Sequence, residues 1–348
     1  MTGVQQAPTD RVIQHWYRDH VSCLQSTLAS LLIREGEDPL GALGLSWEFR
    51  HLPGDVRPEE FYWPCARDGD LVGSLLPYHR AGSVWRTAPD TDPLVALETA
   101  LAGNRLPIVA VDNYHLPFRP AYQDVHSAHL IIVYGIDRVA GEVLVSDAMP
   151  PAYHGPLAIA DLLRSWTSVN PREQEAFFSG VHIDGRWLDV TLGTPFPPLT
   201  PARLGEAMAA NLARFDSDGP DRAGLRGLAE FGTELVAAAR NGDRATVEEA
   251  YPFGWGMQAQ AALHGELLRD RGVQWRNPVL AEAGRRVEQV AHAWTPVRVC
   301  AAYGRADPRA WAGDLAHRTA RLRRAHEEAL AAIEQAMATL NDGSGEIG

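Results

Sequence analysis

The sequence predicts an α+β domain followed by an all-α domain, and three observations support this. An apolar, β-branched run at 130–134 and an alternating run at 142–146 flank turn-forming residues, which predicts a β-hairpin. Leucines at helical spacing predict a helix over 23–34. The proline-rich segment TPFPPLTP at 194–201 is typical of a stiff linker, and the pattern after it is helical.

These boundaries predict a first domain over 1–193, a helical domain over 202–340 and a disordered tail over 341–348. In the first domain, the pattern predicts a helix at 71–79, a helix at 92–102 with proline in its first turn, a buried strand at 106–112, a helix at 157–166 and alternation at 181–192. Residues 40–90 show no clear period. In the helical domain, the predicted helices are 202–214, 222–240, 245–251, 257–270, 279–302 and 308–340.

Three residues in the chain order cysteine, histidine, acid form the candidate catalytic set. Cys23 begins a predicted helix, where the positive end of the helix dipole favours thiolate. If the hairpin turn centres near Arg138, His129 lies directly opposite Asp147, although a one-residue slip would separate them. This arrangement predicts a papain-like thiol enzyme. The alternative is that Cys23 is a small buried apolar side chain, as most free cysteines are.

Further residues are candidates for substrate binding. Asp112 and Asn113 end a buried strand and could bind an amine or donate to an oxyanion, or simply form a turn, and Tyr114 beside them is a further candidate. Aromatic side chains could line an acyl or pantetheine channel or pack in the core; they are Trp47, Phe49, Tyr62, Trp63 and Trp85.

Three segments carry a resemblance to a known family: HVSCLQSTLASLL at 20–32, GLSWEF at 44–49 and LPIVAVDNYHLPFRPAYQDVHSAHLIIVYGID at 106–137. Over roughly residues 15–200 the chain resembles the butirosin-biosynthesis acyltransferases, relatives of the cysteine peptidases that cleave double-glycine leaders. The remainder resembles the helical domain that follows in that family.

The resemblance implies transfer of an acyl group from a carrier-protein thioester to an amine during natural-product assembly. Cys23 would be the nucleophile, His129 the base and Asp147 the orienting acid. The leader peptidases have a glutamine six residues before the cysteine as an oxyanion donor, whereas this chain has Tyr17. Gln14, Gln25 or the Cys23 amide could replace it. The predicted partners are an acyl or peptidyl carrier protein and a small amine.

Composition limits the alternatives. There is no lysine among the 32 basic residues, which excludes Schiff-base chemistry, and the net charge of −12 argues against nucleic-acid binding. No signal peptide or membrane span is recognisable, so a cytoplasmic location is expected. No phosphate-binding glycine motif occurs, so no cofactor is expected beyond the phosphopantetheine of a carrier substrate.

Two further features of the sequence allow two interpretations each. His115, His126 and His129 are close in sequence, but imidazoles at spacing three on an extended segment point to different faces, so no metal site is expected. RTARLRRAH at 318–326 is either a docking patch for an acidic carrier or a solvated helix face paired with Glu327 and Glu328.

A cysteine hydrolase, or a binding protein without catalysis, remains an alternative function, and a homodimer remains open.

Overall fold

The computed structural model describes residues 5–6, 13–52, 70–173, 178–216 and 222–342. These residues divide into two compact units. The sheet unit contains the described residues up to 39 and those of 70–196, and the helical unit contains 40–52 and the chain from 197 onward. Residue 196 is the last of the sheet unit, and residues 40–52 belong to the helical unit. Tyr62 and Trp63 lie outside the described residues.

The chain contains mixed secondary structure, with the strands mostly before residue 193 and long helices after it. The strands are β1 (Gln5–Gln6), β2 (Arg50–His51), β3 (Ala81–Thr87), β4 (Ile108–Asp112), β5 (Ala128–Asp137), β6 (Glu142–Asp147), β7 (Tyr153–Ala158), β8 (Arg186–Leu192) and β9 (Arg222–Ala223). The helices are α1 (Cys23–Arg34), α2 (Pro39–Leu43), α3 (Leu71–Leu75), α4 (Leu94–Ala102), α5 (Ile159–Trp166), α6 (Pro201–Phe215), α7 (Gly224–Asn241), α8 (Arg244–Gln274), α9 (Pro278–Gly304) and α10 (Pro308–Asp342).

The sheet unit is built on an antiparallel sheet with the strand order β3-β8-β4-β5-β6-β7, and the short β1 pairs with β5. The central strand β4 is buried at every position, because elements cover both of its faces. The edge strands β3 and β7 are not among the sequence predictions. Each exposes much of its length and therefore lacks the apolar run that predicts a buried strand.

Helix α1 spans the residues predicted for it and packs against β5. Leu24, Leu28 and Leu32 are at most 1% exposed, which anchors the helix through one apolar stripe. The helix starts at a capping box: the Ser22 side chain accepts from the Gln25 N–H, and the Gln25 side chain accepts from the Ser22 N–H. The first residue of α1 is therefore fixed at Cys23.

The helical unit contains α6 to α10, and one of the predicted boundaries inside it is wrong. The sequence pattern predicts two helices around Pro252, yet α8 runs unbroken through that residue. Proline removes one backbone hydrogen bond and favours a break. Here the surrounding positions Phe253, Gly254 and Gly256 are all buried, so tertiary packing offsets that loss. No helix in the described ranges is long and apolar enough to cross a bilayer.

An aromatic and histidine cluster forms the core of the helical unit. Trp47 is 1% exposed and stacks on the rings of His264 and His326 at centroid distances of 5.7 and 5.8 Å. On the surface of α10, Arg323 pairs with Glu327 at 2.8 Å and Glu328 lies 3.8 Å from Arg286. These contacts agree with the solvated-face interpretation of that segment.

Three buried histidines make the stability of the helical unit depend on pH. Burial lowers the pKa of His51, His264 and His326 from 6.5 to about 4, with Arg222 adding to the effect at His51. The unfolded chain therefore binds protons first as the pH falls. The contribution of these histidines to the free energy of unfolding is fully present above pH 6.5 and is lost progressively as the pH falls toward 4.

We expect His326→Leu to flatten this loss, because the variant removes one of the three groups that gain a proton on unfolding. The measurement is the thermal midpoint by circular dichroism between pH 6.5 and pH 4. His317→Leu, at an exposed position of the same helix, is the control. An unchanged slope in His326→Leu would contradict the prediction.

Candidate active site

The N-terminus of α1 presents Cys23 as its first helical residue, and the side chain is half-buried. The backbone N–H groups of a first helical turn have no acceptor within the helix. Ser22 satisfies those of Gln25 and Ser26, which leaves the N–H groups of Cys23 and Leu24 directed out of the helix end. The site thus combines a thiol with two backbone donors and the positive end of a helix dipole.

A β-bulge in β5 sets which side chains of the hairpin share a face. Val133 pairs with Val145, whereas Gly135 pairs with Leu144, so Tyr134 is an extra residue without a partner in β6. The turn itself is closed by Asp137, whose carboxylate accepts from the N–H groups that follow it.

The bulge places Asp147 on the same face as His129. If the pairing near the turn continued unchanged, Asp147 would lie opposite Ile132, whose side chain points away from His129. With the shift, Asp147 lies opposite Ile131, which shares a face with His129. The prediction that His129 and Asp147 are directly opposed is therefore wrong by two positions, but they are diagonal neighbours on one face.

His129 links the thiol to the acid. Its Nε2 lies 2.8 Å from Asp147 Oδ2, and the same imidazole interacts electrostatically with the Cys23 side chain. Because Asp147 accepts through Nε2–H, neutral His129 is the tautomer with a basic Nδ1. His129 and Asp147 are 4% and 2% exposed, so water competes little for these bonds. His129 and Asp147 form a hydrogen-bonded pair, and the Cys23 side chain interacts electrostatically with the imidazole of that pair.

The charges on His129 and Asp147 stabilise one another. Burial lowers the pKa of His129, but the Asp147 carboxylate and the Cys23 side chain outweigh it and raise the value to about 9. Burial likewise acts to raise the pKa of Asp147, yet His129, then Arg119 and the Met149 N–H, hold it below its ordinary range. The electrostatics favour an imidazolium beside Cys23 at neutral pH, which is the condition that activates a thiolate.

Arg119 is a site residue that sequence reasoning missed. Its Nη1 donates to Asp147 Oδ2 and to the Met149 carbonyl, both at 3.1 Å, and the side chain is only 12% exposed. Arg119 lies within the connection from β4 to β5, where no periodic pattern indicates it. The need for such a residue becomes visible only once Asp147 is known to be buried, because a buried carboxylate with a histidine partner needs further donors for its remaining lone pairs.

The candidate oxyanion donors differ in what they can offer. Gln25 is 2% exposed and its side-chain oxygen accepts from the Ser22 N–H, so it contributes to the helix cap. Gln14 is exposed, whereas Tyr17 is half-buried. The N–H groups of Cys23 and Leu24 are the donors beside the thiol that the fold itself positions.

The other predicted substrate residues lie elsewhere. Val111 is the partner of His129 and Asp112 that of Ala128, so Asp112 points to the opposite face of the sheet. Asp112 is 0% exposed and Asn113 is 8% exposed. The Tyr114 ring stacks on His126 at a centroid distance of 4.1 Å.

Trp47 belongs to the helical unit, where its ring is enclosed by the aromatic and histidine cluster. With 1% of its surface exposed it has no free face for a substrate. Of the predicted residues, the structure brings Cys23, His129 and Asp147 together, whereas the Gln25 side chain belongs to the helix cap.

Comparison with known families identifies the segment that carries this site. Residues 22–148 match the family model described as Butirosin biosynthesis protein H, N-terminal. The match confirms the resemblance predicted from the sequence and contains Cys23, His129 and Asp147. At the level of whole sequences, no curated protein matches the chain.

Removal of the imidazole tests the link between His129 and the thiol. We expect His129→Gln to slow alkylation of Cys23 by iodoacetamide at pH 7 by about tenfold or more, because only the thiolate reacts. Peptide mapping over a time course measures labelling at Cys23 alone. His154→Gln removes an exposed imidazole of the same unit and should label like the wild type. Equal rates in His129→Gln and wild type would refute the link.

Arg119 is expected to act through the pKa of Asp147. In Arg119→Met the pKa of Asp147 rises because a cation has been removed. As the pH is lowered, we therefore expect the rate of Cys23 labelling to drop at a pH about one unit higher than in the wild type. Arg119→Lys, which keeps the charge, should recover part of the shift. A labelling profile against pH provides the measurement, and identical acid limbs in all three proteins would show that Arg119 only fills space.

Proposed function

We propose that this protein is a cysteine-dependent acyltransferase that moves an acyl group from a carrier-protein thioester to an amine during antibiotic assembly. The observation that carries the proposal is the hydrogen-bonded pair of His129 and Asp147 beside Cys23, the first residue of α1. These three residues lie within the segment similar to Butirosin biosynthesis protein H, whose name refers to the biosynthesis of butirosin. A papain-like arrangement of the sheet unit is part of the same proposal.

The first half-reaction loads the enzyme. The Cys23 thiolate attacks the thioester carbonyl, and the N–H groups of Cys23 and Leu24 donate to the developing oxyanion. Collapse of the tetrahedral intermediate breaks the bond to the carrier's pantetheine sulfur. The departing thiolate takes the proton of the His129 imidazolium, which leaves an acyl-cysteine and a neutral His129.

The second half-reaction transfers the acyl group. The acceptor amine attacks the acyl-cysteine, and the now basic Nδ1 of His129 accepts the proton that the nitrogen loses. The carbon–sulfur bond breaks, and the thiolate and imidazolium pair is restored. Asp147 keeps the ring in one tautomer throughout and stabilises its charged form, with Arg119 holding the carboxylate.

The same groups would hydrolyse a thioester if water took the place of the amine, so the acceptor defines the reaction. The carrier supplies phosphopantetheine as part of the substrate. A net charge of −12 opposes long-range attraction of an acidic carrier, so local arginines would have to provide the docking contact. Arg321 and Arg324 on α10 are exposed and form one candidate.

Intact-protein mass spectrometry with acyl thioesters of N-acetylcysteamine tests the proposal. We expect wild type to gain one acyl mass, Cys23→Ala to gain none, and the control Cys300→Ala, which removes a buried cysteine, to behave like wild type. Addition of amines to the isolated acyl-enzyme should release an amide.

The alternative outcomes are distinct. Loss of the adduct in buffer at the same rate with and without amines would assign hydrolysis instead of transfer. An adduct that persists in Cys23→Ala would place the chemistry elsewhere. If neither small thioesters nor loaded carrier proteins acylate wild type, the protein is not an enzyme of this class.

A further inference from the structure

A second carboxylate–imidazole pair, in which the carboxylate is buried, lies on the face of the sheet opposite His129. Asp112 Oδ2 lies 2.7 Å from His126 Nδ1, and Asp112 is 0% exposed. The proposed acyl transfer makes no use of this pair, since Asp112 and His129 point to opposite faces. A buried charge held in this way needs a structural or chemical reason.

A second imidazole completes a donor set around the pair. One donor atom each from Asp112, His115 and His126 lies within 4.8 Å of the other two. The two rings are 6.0 Å apart between centroids and nearly perpendicular, with an angle of 69°. Of the three histidines that are close in sequence, the 3-10 turn at Asn113–His115 places His115 beside His126, whereas His129 faces the other side of the sheet.

The surroundings hold these three side chains in place. Asp112 Oδ1 accepts from the N–H groups of Tyr114 and Ser127, and Ser168 Oγ donates to Oδ2 at 2.6 Å. The Tyr114 ring stacks on His126 at 4.1 Å. Ligand side chains oriented by outer hydrogen bonds and packing are the usual support of protein metal sites.

We propose that Asp112, His115 and His126 form a binding site for Zn²⁺ or a similar divalent transition metal. Two imidazole nitrogens and one carboxylate oxygen suit that class of ion, with a further position left for water. The metal takes the place of the proton that His126 and Asp112 share, while Ser168 continues to donate to the carboxylate. His126 and His115 are half-exposed, which gives an ion a way in from solvent.

The position of the site suggests a structural role. Asp112 ends β4, His115 opens the connection that follows, and His126 lies just before β5. The metal would therefore join both ends of the connection between β4 and β5. The same connection carries Arg119, which contacts Asp147 on the opposite face of the sheet. This inference does not depend on the proposed acyl transfer.

Zinc titration in a Cys23→Ala background tests the site, because that substitution prevents Cys23 and His129 from binding metal as a pair. Calorimetry should find one equivalent of Zn²⁺, with affinity reduced at least about tenfold in His115→Gln and in His126→Gln. His154→Gln, which removes an exposed imidazole on β7, is the matched control. Zinc should also raise the thermal midpoint in the background and control proteins but not in the two ligand variants.

Two further measurements keep the result unambiguous. His126→Gln leaves Asp112 with one partner fewer, so circular dichroism without metal must show a folded chain, and His115→Gln gives the same test without touching that hydrogen bond. Co²⁺ bound at the site should show no thiolate-to-metal charge-transfer band. Equal zinc affinity in all four proteins, or a thiolate band, would overturn the proposal.

Discussion

One extra residue in β5 decides on which face of the sheet Asp147 stands. Side chains alternate strictly along a strand, so the bulge at Tyr134 turns every residue of β5 before it relative to β6. Without that shift His129 and Asp147 would point to opposite sides and could not share a proton. The charge on His129 and the proposed role of Cys23 both depend on it.

Buried charges impose a second requirement, because each must find a partner inside the protein. Asp147 is held by His129, Arg119 and the Met149 N–H, and Asp112 by His126, Ser168 and two backbone N–H groups. Removing one member of such a set strands the others, which costs more than the single bond is worth. A single connection, from β4 to β5, supplies partners to both carboxylates and so links the two faces of the sheet.

Local signals in the sequence suffice for much of this arrangement. Ser22 and Gln25 mark the start of α1, and alternating apolar residues mark the hairpin, because both features depend on near neighbours. The register and Arg119 could not be predicted, since a bulge and a long-range ion pair depend on the packed structure. The continuity of α8 could not be predicted for the same reason, because burial of the residues around Pro252 outweighs the local preference of proline for a helix break.

The bulge also restricts how this hairpin can evolve. His129 and Asp147 are 18 positions apart, and the count includes the unpaired Tyr134. Adding or deleting one residue within the paired part of either strand would have to be compensated by loss or gain of a bulge, whereas a change confined to the turn between Asp137 and Glu142 can leave the pairing and the facing of both side chains intact. Lineages that keep this histidine–aspartate pair are therefore expected to vary in length mainly at the turn, and single-residue changes within the strands should occur only with an altered bulge.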